Sequence, residues 1–150
     1  MNPLYRHILI PVDGSRESER AATAGVRLGK ALGARVTAVH VLSEGPSSRL
    51  EAWSHGDAQY GDRVEKTFED RAMLFLETIR EIAYGVGIAC ECHMVRGGVP
   101  HEEIIKAVEE HGCDLIVMAS HRMGAGTELM LAGETIKVLA RGPVPVLVYQ

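Results

Sequence analysis

The sequence predicts an α/β fold of one domain, in which an open parallel β-sheet carries helices on both faces. Five apolar runs rich in β-branched residues are interspersed with stretches whose apolar residues repeat at helical spacing. The apolar runs are nearly continuous, as is typical of parallel strands that are covered on both faces. A chain of 150 residues is long enough for one such domain, spanning residues 1–150, with a single core.

The first two strands are predicted at residues 4–13 and 34–42, separated by a helix that is rich in small side chains. Gly14 interrupts the first strand, and Ser15 is a suitable N-cap because its hydroxyl accepts a hydrogen bond from the first turn. Gly33 ends the helix, since glycine readily adopts the left-handed conformation of a helix C-terminus.

Residues 43–62 have no sustained hydrophobic period and are rich in glycine, proline and serine, which predicts a long loop. Loops of this length are usually functional or mobile, so this loop is expected to be the most mobile part of the chain. Trp53 lies within it and is interpreted as an anchor to the body of the protein, with a ligand lid as the alternative.

The second half of the chain continues the alternation of helices and strands. Pro100 suits the first position of a helix, where its missing amide hydrogen has no cost, and Gly112 ends that helix. The predicted elements of this half are helix 63–84, strand 88–95, helix 100–111, strand 114–119, helix 135–140 and strand 144–149.

Composition excludes several classes of protein. The formal net charge of −4 argues against a nucleic-acid partner, because binding to a phosphate backbone usually needs a basic face. No apolar run approaches the roughly 20 residues of a membrane span, and the first residues lack the pattern of a secretory signal. Three cysteines are too few for a disulfide framework, so a cytoplasmic location is expected.

Cys90 and Cys92 fall on one face of a predicted strand and are interpreted as small buried side chains. A metal site built on them would need a second ligand pair at a recognisable spacing, and the sequence shows none. His40 and His93 also lie in predicted strands and are interpreted as packed or edge residues. We therefore predict no metal site.

Ligands of parallel α/β sheets bind beyond the carboxyl ends of the strands, where the strand order reverses. Three segments are expected to meet there: the turn at residues 11–15, the chain from Val41 onward, and the glycine-containing stretch 118–135. Glycines between a strand and a helix often surround phosphate, so this edge is the predicted ligand site.

Five segments carry a resemblance to a known family: PVDGS after the first strand, VHV in the second, VRGGVP before the third helix, CDLIVMASH after that helix, and ETIKVLARGPVPVLVY at the end. Together they resemble the universal stress protein family over nearly the whole chain. The resemblance implies a Rossmann-like open sheet of five parallel strands in the order 3-2-1-4-5.

Members of that family either bind ATP through a loop of the pattern G-x2-G-x9-G-S/T or lack this pattern. Alignment with the family places the three glycines at Ala119, Arg122 and Ala132, and the hydroxyl residue at Gly133. None of the four positions matches. The resemblance therefore implies the class without robust ATP binding.

A shift of one residue does not restore the pattern. It places Gly133 on the third glycine but puts Ser120, Met123 and Glu134 at the other positions. Arg122 is the largest departure in the first alignment, because a left-handed backbone costs an ordinary residue about 1–2 kcal/mol. Its side chain is also expected to fill the space that phosphate needs.

An alternative anion site in the same stretch stays open. Arg122 is a charged partner for phosphate, and the backbone amides around Gly124 and Gly126 suit a different anion-binding nest. The stretch also lacks the G-x4-G-K-S/T pattern of P-loop proteins.

The resemblance implies which residues would contact a nucleotide if one binds. Asp13 would accept a hydrogen bond from ribose, although an aspartate before Gly14 also suits a turn that bonds nearby amides. Val41 would contact adenine through backbone atoms. The full expected set is Pro11, Val12, Asp13, Val41, Met118, Ala119, Arg122, Ala132, Gly133, Glu134 and Thr135.

No nucleophile, acid/base pair or ligand cluster in the sequence requires catalysis, so no catalytic residue is predicted. The expected function is a homodimeric cytoplasmic stress-response protein with weak or no ATP binding that acts through protein contacts. The alternative is an ATP-binding regulator with slow or no hydrolysis. An ATP pyrophosphatase would need an SGGxDS-type loop where this chain has PVDGS.

The last strand, Val144–Tyr149, is apolar and is expected at the edge of the sheet. An exposed apolar edge favours pairing, so two copies are expected to pair antiparallel around a two-fold axis. The family resemblance implies the same homodimer. Pro145 has no amide hydrogen, so the pairing is expected to centre near Val146 and Val148.

Overall fold

The computed structural model describes residues 2–42, 58–120 and 133–150, with side chains in the second helix described from residue 66 onward. One parallel sheet in the order β3-β2-β1-β4-β5 forms its centre. This confirms the predicted fold class and the strand order that the resemblance implied. The strands are β1 His7–Val12, β2 Arg35–Leu42, β3 Cys90–Arg96, β4 Leu115–Ala119 and β5 Val146–Tyr149.

Helices cover both faces of the sheet. The pair α1 and α2 packs on one face, and α3 and α4 pack on the other. Within the described residues, no helix combines the length and the apolar character that a membrane-spanning helix requires. The helices are α1 Arg16–Leu32, α2 Ala58–Val86, α3 Pro100–His111 and α4 Gly133–Arg141.

The ends of α1 follow the predicted capping signals. The Ser18 amide donates to the Ser15 hydroxyl over 3.1 Å, which makes Ser15 the N-cap. Gly33 has a φ of 67° and its amide donates to carbonyls of the last turn. Gly112 ends α3 in the same left-handed conformation, so these predictions are confirmed.

The predicted loop 43–62 is wrong at its C-terminal end, because α2 begins at Ala58 rather than at Arg63. Ala58 and Gln59 are strong helix formers, and an established helix gains one hydrogen bond for each residue added. That gain explains how α2 accommodates Gly61. The rest of the predicted loop, including Trp53, lies outside the described residues.

Several strands are shorter than predicted because other groups take their terminal backbone bonds. The carboxylate of Asp114 accepts hydrogen bonds from the amides of Arg6 and His7, so β1 begins at His7 instead of residue 4. Pro145 contributes only its carbonyl to β4, and β5 begins at Val146.

Helix α4 begins two residues before the predicted Thr135.

Alternate residues of the sheet form two cores. Cys90 and Cys92 share one face of β3 as predicted, but they are half-buried at the margin of the first core. The core under α1 and α2 includes Ile8, Ile10, Val26, Val36, Leu76, Ile79 and Val117. The core under α3 and α4 includes Leu9, Val39, Ile104, Val108, Ile116, Met118 and Val138.

Helix α1 lies close to the sheet because small residues line its inner face. A Cβ atom added at Gly25 would lie 2.6 Å from Cδ1 of Ile10, and one added at Gly29 would overlap a methyl group of Val36. Both glycines are buried. The close approach of α1 to β1 and β2 therefore depends on the absence of side chains at these two positions.

We expect Gly29→Ala to lower the free energy of unfolding by about 1–3 kcal/mol, because the new methyl group forces Val36 out of place. This loss outweighs the helix propensity of alanine, which is worth roughly 1 kcal/mol. Gly85→Ala in α2 is the matched control, since no described atom lies within 4 Å of its added Cβ. Urea unfolding should show the two substitutions acting in opposite directions, and a stabilising Gly29→Ala would contradict the packing argument.

Candidate functional site

The order of the strands reverses between β1 and β4, and this switch point marks the candidate site. The turn after β1, the end of β4 and the first turns of α3 and α4 all belong to the carboxyl edge of the sheet. The predicted site residues at this edge that the structure describes are Pro11, Val12, Asp13, Val41, Met118, Ala119, Gly133, Glu134 and Thr135.

Asp13 forms the turn between β1 and α1. Its Oδ1 accepts hydrogen bonds from the Ser15 amide, over 2.9 Å, and from the Ser15 hydroxyl. The Asp13 amide donates to the hydroxyl of Ser18 over 3.3 Å, and Gly14 between them has a φ of 86°. The turn-forming interpretation of Asp13 is therefore confirmed, and its exposed side chain lies at the carboxyl edge.

The strand residues of the predicted set contribute backbone rather than side chains. Pro11, Val12, Met118 and Ala119 are buried within β1 and β4. The half-buried side chain of Val41 packs against the core under α3 and α4. This placement is consistent with the expectation that Val41 would use backbone atoms toward a ligand.

Thr135 joins α4 to the end of β4. Its buried hydroxyl donates to the carbonyl of Ala119 over 3.2 Å, so the hydroxyl hydrogen is already used in a bond within the protein. Gly133, two residues earlier, is exposed, and no described atom lies within 4 Å of a Cβ added there. Within the described ranges, nothing obstructs a larger side chain at position 133.

Glu134 connects the first turns of α3 and α4. Its Oε2 accepts a 2.6 Å hydrogen bond from the His101 amide and a 2.9 Å bond from His101 Nδ1, while its Oε1 lies 3.4 Å from Lys137 Nζ. The N-cap residue of α3, Val99, has no side-chain acceptor. The carboxylate of Glu134 supplies the missing cap from a neighbouring helix.

Glu134 remains ionised at neutral pH. Burial favours its neutral form, but the hydrogen bonds from His101 and Lys137 outweigh burial and lower its pKa below the ordinary value. Because His101 Nδ1 donates to the carboxylate, its Nε2 carries no hydrogen while the ring is neutral. His101 is not among the site residues predicted from the sequence, and its position directly after a helix-starting proline was the available signal.

Three buried polar atoms near this edge have no hydrogen-bond partner in the described part of the chain: His40 Nδ1, His101 Nε2 and Ser120 Oγ. Burial lowers the pKa of His40, although the charge of Asp13 opposes the shift. His40 lies opposite Val12 in the β1–β2 register and is half-buried. Buried groups of this kind usually have a hydrogen-bond partner.

Arg122 and Ala132, together with Gly124 and Gly126, lie outside the described residues. Their roles stay predictions from the sequence. At the edge, the structure joins His101 to Glu134 and Thr135 to Ala119, while Asp13 bonds within its own turn.

Glu134→Gln keeps the shape of the side chain but removes its charge. We expect a loss of about 0.5–1 kcal/mol in the free energy of unfolding at pH 7, because the cap of α3 weakens and solvent screens a side chain that is 36% exposed. The folded-state pKa of Glu134 lies below its unfolded value, so this stability is present above that value and is lost as pH falls through the folded pKa.

Urea unfolding at several pH values tests this expectation. The difference between wild type and Glu134→Gln should shrink as pH falls below about 4.5. Glu102→Gln, an exposed position in the same first turn of α3, is the control and should cost less. A difference that persists unchanged in acid would argue against a carboxylate cap.

Comparison with known proteins agrees with this architecture. A universal stress protein of Thermus aquaticus is 31% identical, with 96% of this chain and 98% of the relative aligned. A universal stress protein of Methanocaldococcus jannaschii is 28% identical over 99% of this chain and 96% of its own length. The solved structure of UspA from Lactobacillus plantarum has a TM-score of 0.76 at 20% identity, covering 99% of this chain and all of that chain.

The family-level comparison covers nearly the entire chain. The profile of the universal stress protein family matches residues 4–150, which include every strand and helix described above. A solved universal stress protein in complex with cAMP shares the fold, with a TM-score of 0.68 at 19% identity over 97% of both chains. The sequence and the fold thus lead to one conclusion: the chain belongs to the universal stress protein family.

Proposed function

We propose that this universal stress protein is a homodimeric, cytoplasmic stress-response protein that binds ATP weakly or not at all and acts through contacts with other proteins. We also propose that the protein is not an enzyme. The observation that carries the proposal is the carboxylate of Glu134, which is bound to the first turn of α3 at the carboxyl edge of the sheet.

A helix N-terminus attracts anions because its first amides are unpaired and its dipole is positive there. At α3 the protein's own anion, Glu134, already accepts the amide hydrogen of His101. An incoming phosphate would meet a fixed negative charge and would have to compete for a donor already in use. This arrangement favours weak ATP binding.

The residues at the positions that align with the family's ATP-binding pattern support the same conclusion. Gly133 stands where that pattern has a hydroxyl residue, and the hydroxyl of nearby Thr135 is bonded to the Ala119 carbonyl. Ala119, Arg122 and Ala132 replace the three glycines of the pattern. These positions therefore lack the glycines that let a backbone approach phosphate closely.

The proposed dimer rests on the exposed apolar edge at β5. Leu147 on this edge strand is 43% exposed, and Ile136 and Leu139 on α4 are 45% and 43% exposed. An unpaired apolar edge favours association with another strand, and pairing around a two-fold axis satisfies both copies equally. The strand Val144–Tyr149 is the proposed interface, with its centre near Val146 and Val148.

Helix α2 offers a second apolar surface, which suits the proposed contacts with other proteins. Met73 is 59% exposed and Leu74 is 70% exposed, and Phe68 and Tyr84 on the same helix are also exposed. The three cysteines Cys90, Cys92 and Cys113 are free thiols, as expected in the reducing cytoplasm that we propose.

The second candidate function is ATP binding with slow or no hydrolysis. Three buried atoms, His40 Nδ1, His101 Nε2 and Ser120 Oγ, have no partner among the described residues. They favour this function, because a nucleotide could satisfy buried polar groups near the carboxyl edge. Two solved universal stress proteins of this fold are complexes with cAMP and with dAMP, so the fold accommodates adenine nucleotides. Here Asp13 and the backbone of Val41 would hold the nucleoside.

Calorimetric titration with ATP distinguishes the two functions. We expect a dissociation constant above about 100 μM for the wild type, which corresponds to a binding free energy weaker than roughly −5.5 kcal/mol. If Arg122 blocks the phosphate space, Arg122→Gly with Gly133→Ser should bind more tightly, and Arg122→Gly alone should gain part of that affinity. Gly133→Ser is a suitable variant because no described neighbour obstructs a side chain at position 133.

The same titration has a result that would support the second function. Micromolar affinity in the wild type that is lost in Arg122→Gly would identify Arg122 as a phosphate ligand. Gly85→Ala, in α2 and remote from the carboxyl edge, controls for general effects of replacing a glycine.

Sedimentation equilibrium tests the proposed dimer. At micromolar concentration we expect the wild type to be a dimer and Leu147→Lys to shift toward monomer, because the substitution places like charges on both sides of the paired edge. Leu74→Lys, on the exposed side of α2, should leave the mass unchanged. A monomeric wild type would refute the interface.

A further inference from the structure

A cluster of three metal-ligating side chains lies far from the candidate nucleotide site. Glu91 and His93 are in the amino-terminal half of β3, and His111 is the last residue of α3. One ligand atom of each residue lies within 4.8 Å of the corresponding atoms of the other two. The cluster is at the amino ends of the strands, whereas Asp13 and Ser120 are at the carboxyl ends.

The sheet fixes two of the three residues. Glu91 pairs with Thr37 and His93 pairs with Val39 in the parallel register of β2 and β3, so both side chains point to the face covered by α3. The distance between Glu91 Oε2 and His93 Nε2 is 3.8 Å. Their separation is therefore set by strand geometry and not by a loop.

The end of α3 brings the third residue to the same place. The imidazole rings of His93 and His111 are stacked, with centroids 4.7 Å apart and an angle of 27° between their planes. The chain turns directly after His111 at Gly112, and the Cys113 amide donates to the Val108 carbonyl over 3.0 Å. The backbone of His111 is thus held beside β3.

We propose that Glu91, His93 and His111 form a binding site for a divalent first-row transition-metal ion, represented in experiments by Zn²⁺. Two imidazoles and one carboxylate are a ligand set that suits such ions, and a fourth position stays open to water. The site is distinct from the proposed nucleotide site and does not depend on it.

The existing geometry needs only a small adjustment to bind an ion. With metal–ligand distances of about 2.0–2.2 Å, tetrahedral ligand atoms lie roughly 3.4 Å apart. Because the present spacings are all within 4.8 Å, none has to close by more than about 1.4 Å. The side chains of Glu91 and His93 are 58% and 45% exposed, so rotation about their side-chain bonds can provide this movement.

The positive groups around the cluster do not prevent binding. The Arg35 guanidinium lies 3.9 Å from Glu91 Oε1, but the Arg35 side chain is 70% exposed, and a surface pair of this kind contributes little. His7 is buried nearby and shares a 2.7 Å hydrogen bond with Thr37, so its Nε2 is already engaged. A metal ion would replace Arg35 as the partner of Glu91.

Calorimetric titration of the full chain with Zn²⁺ tests the proposal. We expect one ion per chain with a dissociation constant below about 100 μM. His93→Gln and His111→Gln should each weaken binding at least about tenfold, and Glu91→Gln should also weaken it. Zn²⁺ should raise the melting temperature of the wild type more than that of the variants, because it binds the folded state.

Two controls separate this site from other ligands in the chain. Cys90→Ser with Cys92→Ser removes the thiols on the opposite face of β3, and Glu77→Gln removes a carboxylate of α2. Both should bind Zn²⁺ as the wild type does. Circular dichroism and thermal unfolding without metal verify that every variant is folded, which these substitutions at exposed or half-buried positions should permit.

Three results would overturn the proposal. The first is no binding of Zn²⁺ by the wild type at millimolar concentration. The second is an affinity of His93→Gln and His111→Gln that stays within about twofold of the wild type, well short of the tenfold loss expected for a ligand. The third is loss of binding in the double serine variant, since Cys90 and Cys92 would then be the ligands. A Co²⁺ spectrum with thiolate charge-transfer bands would support the same contrary conclusion.

Discussion

The burial of β1 on both faces is the constraint on which the rest of the structure depends. All six residues of His7–Val12 are buried, and alternate side chains enter the two cores. Such a strand needs partners on both edges and a helix layer on both faces. Gly25 and Gly29 meet part of this need by allowing α1 to lie directly against the sheet.

The carboxyl edge shows how one side chain can stabilise a helix N-terminus that would otherwise attract an anion. Glu134 completes the N-terminus of α3, which its own cap residue Val99 leaves unsatisfied. In a fold that often uses helix N-termini for phosphate, an internal carboxylate at this point has the opposite effect on anions. The position of one negative charge thus links the packing of α3 against α4 to the weak ATP binding that we propose.

The fold was predictable from the sequence because its signals are local. Ser15 begins α1 and Gly33 and Gly112 end their helices as expected, since capping depends on the residue itself and its nearest neighbours. The early start of α2 at Ala58 was missed because Gly61 resembles a loop residue. The sheet order came from family resemblance, which adds long-range information that periodicity lacks.

The candidate sites were less predictable, because their residues meet only after the helices pack. His101 and Glu134 are 33 residues apart, and no local pattern joins them. Glu91 and His93 show the two-residue spacing of a strand face, but their partner His111 belongs to the next helix. Spacing rules identify ligand residues within one strand or helix, but they fail when the third ligand residue belongs to a different element.

The position of β1 also has a consequence for synthesis of the chain. β1 is made first, yet one of its edges pairs with β4, where Ile8 lies opposite Leu115. This edge therefore stays unpaired on the ribosome until most of the chain has emerged. Long-range parallel pairing of this kind slows folding and leaves an apolar strand open to wrong partners. Before β4 is synthesised, β1, β2 and β3 can already pair with one another, and the other edge of β1 stays open to incorrect pairing.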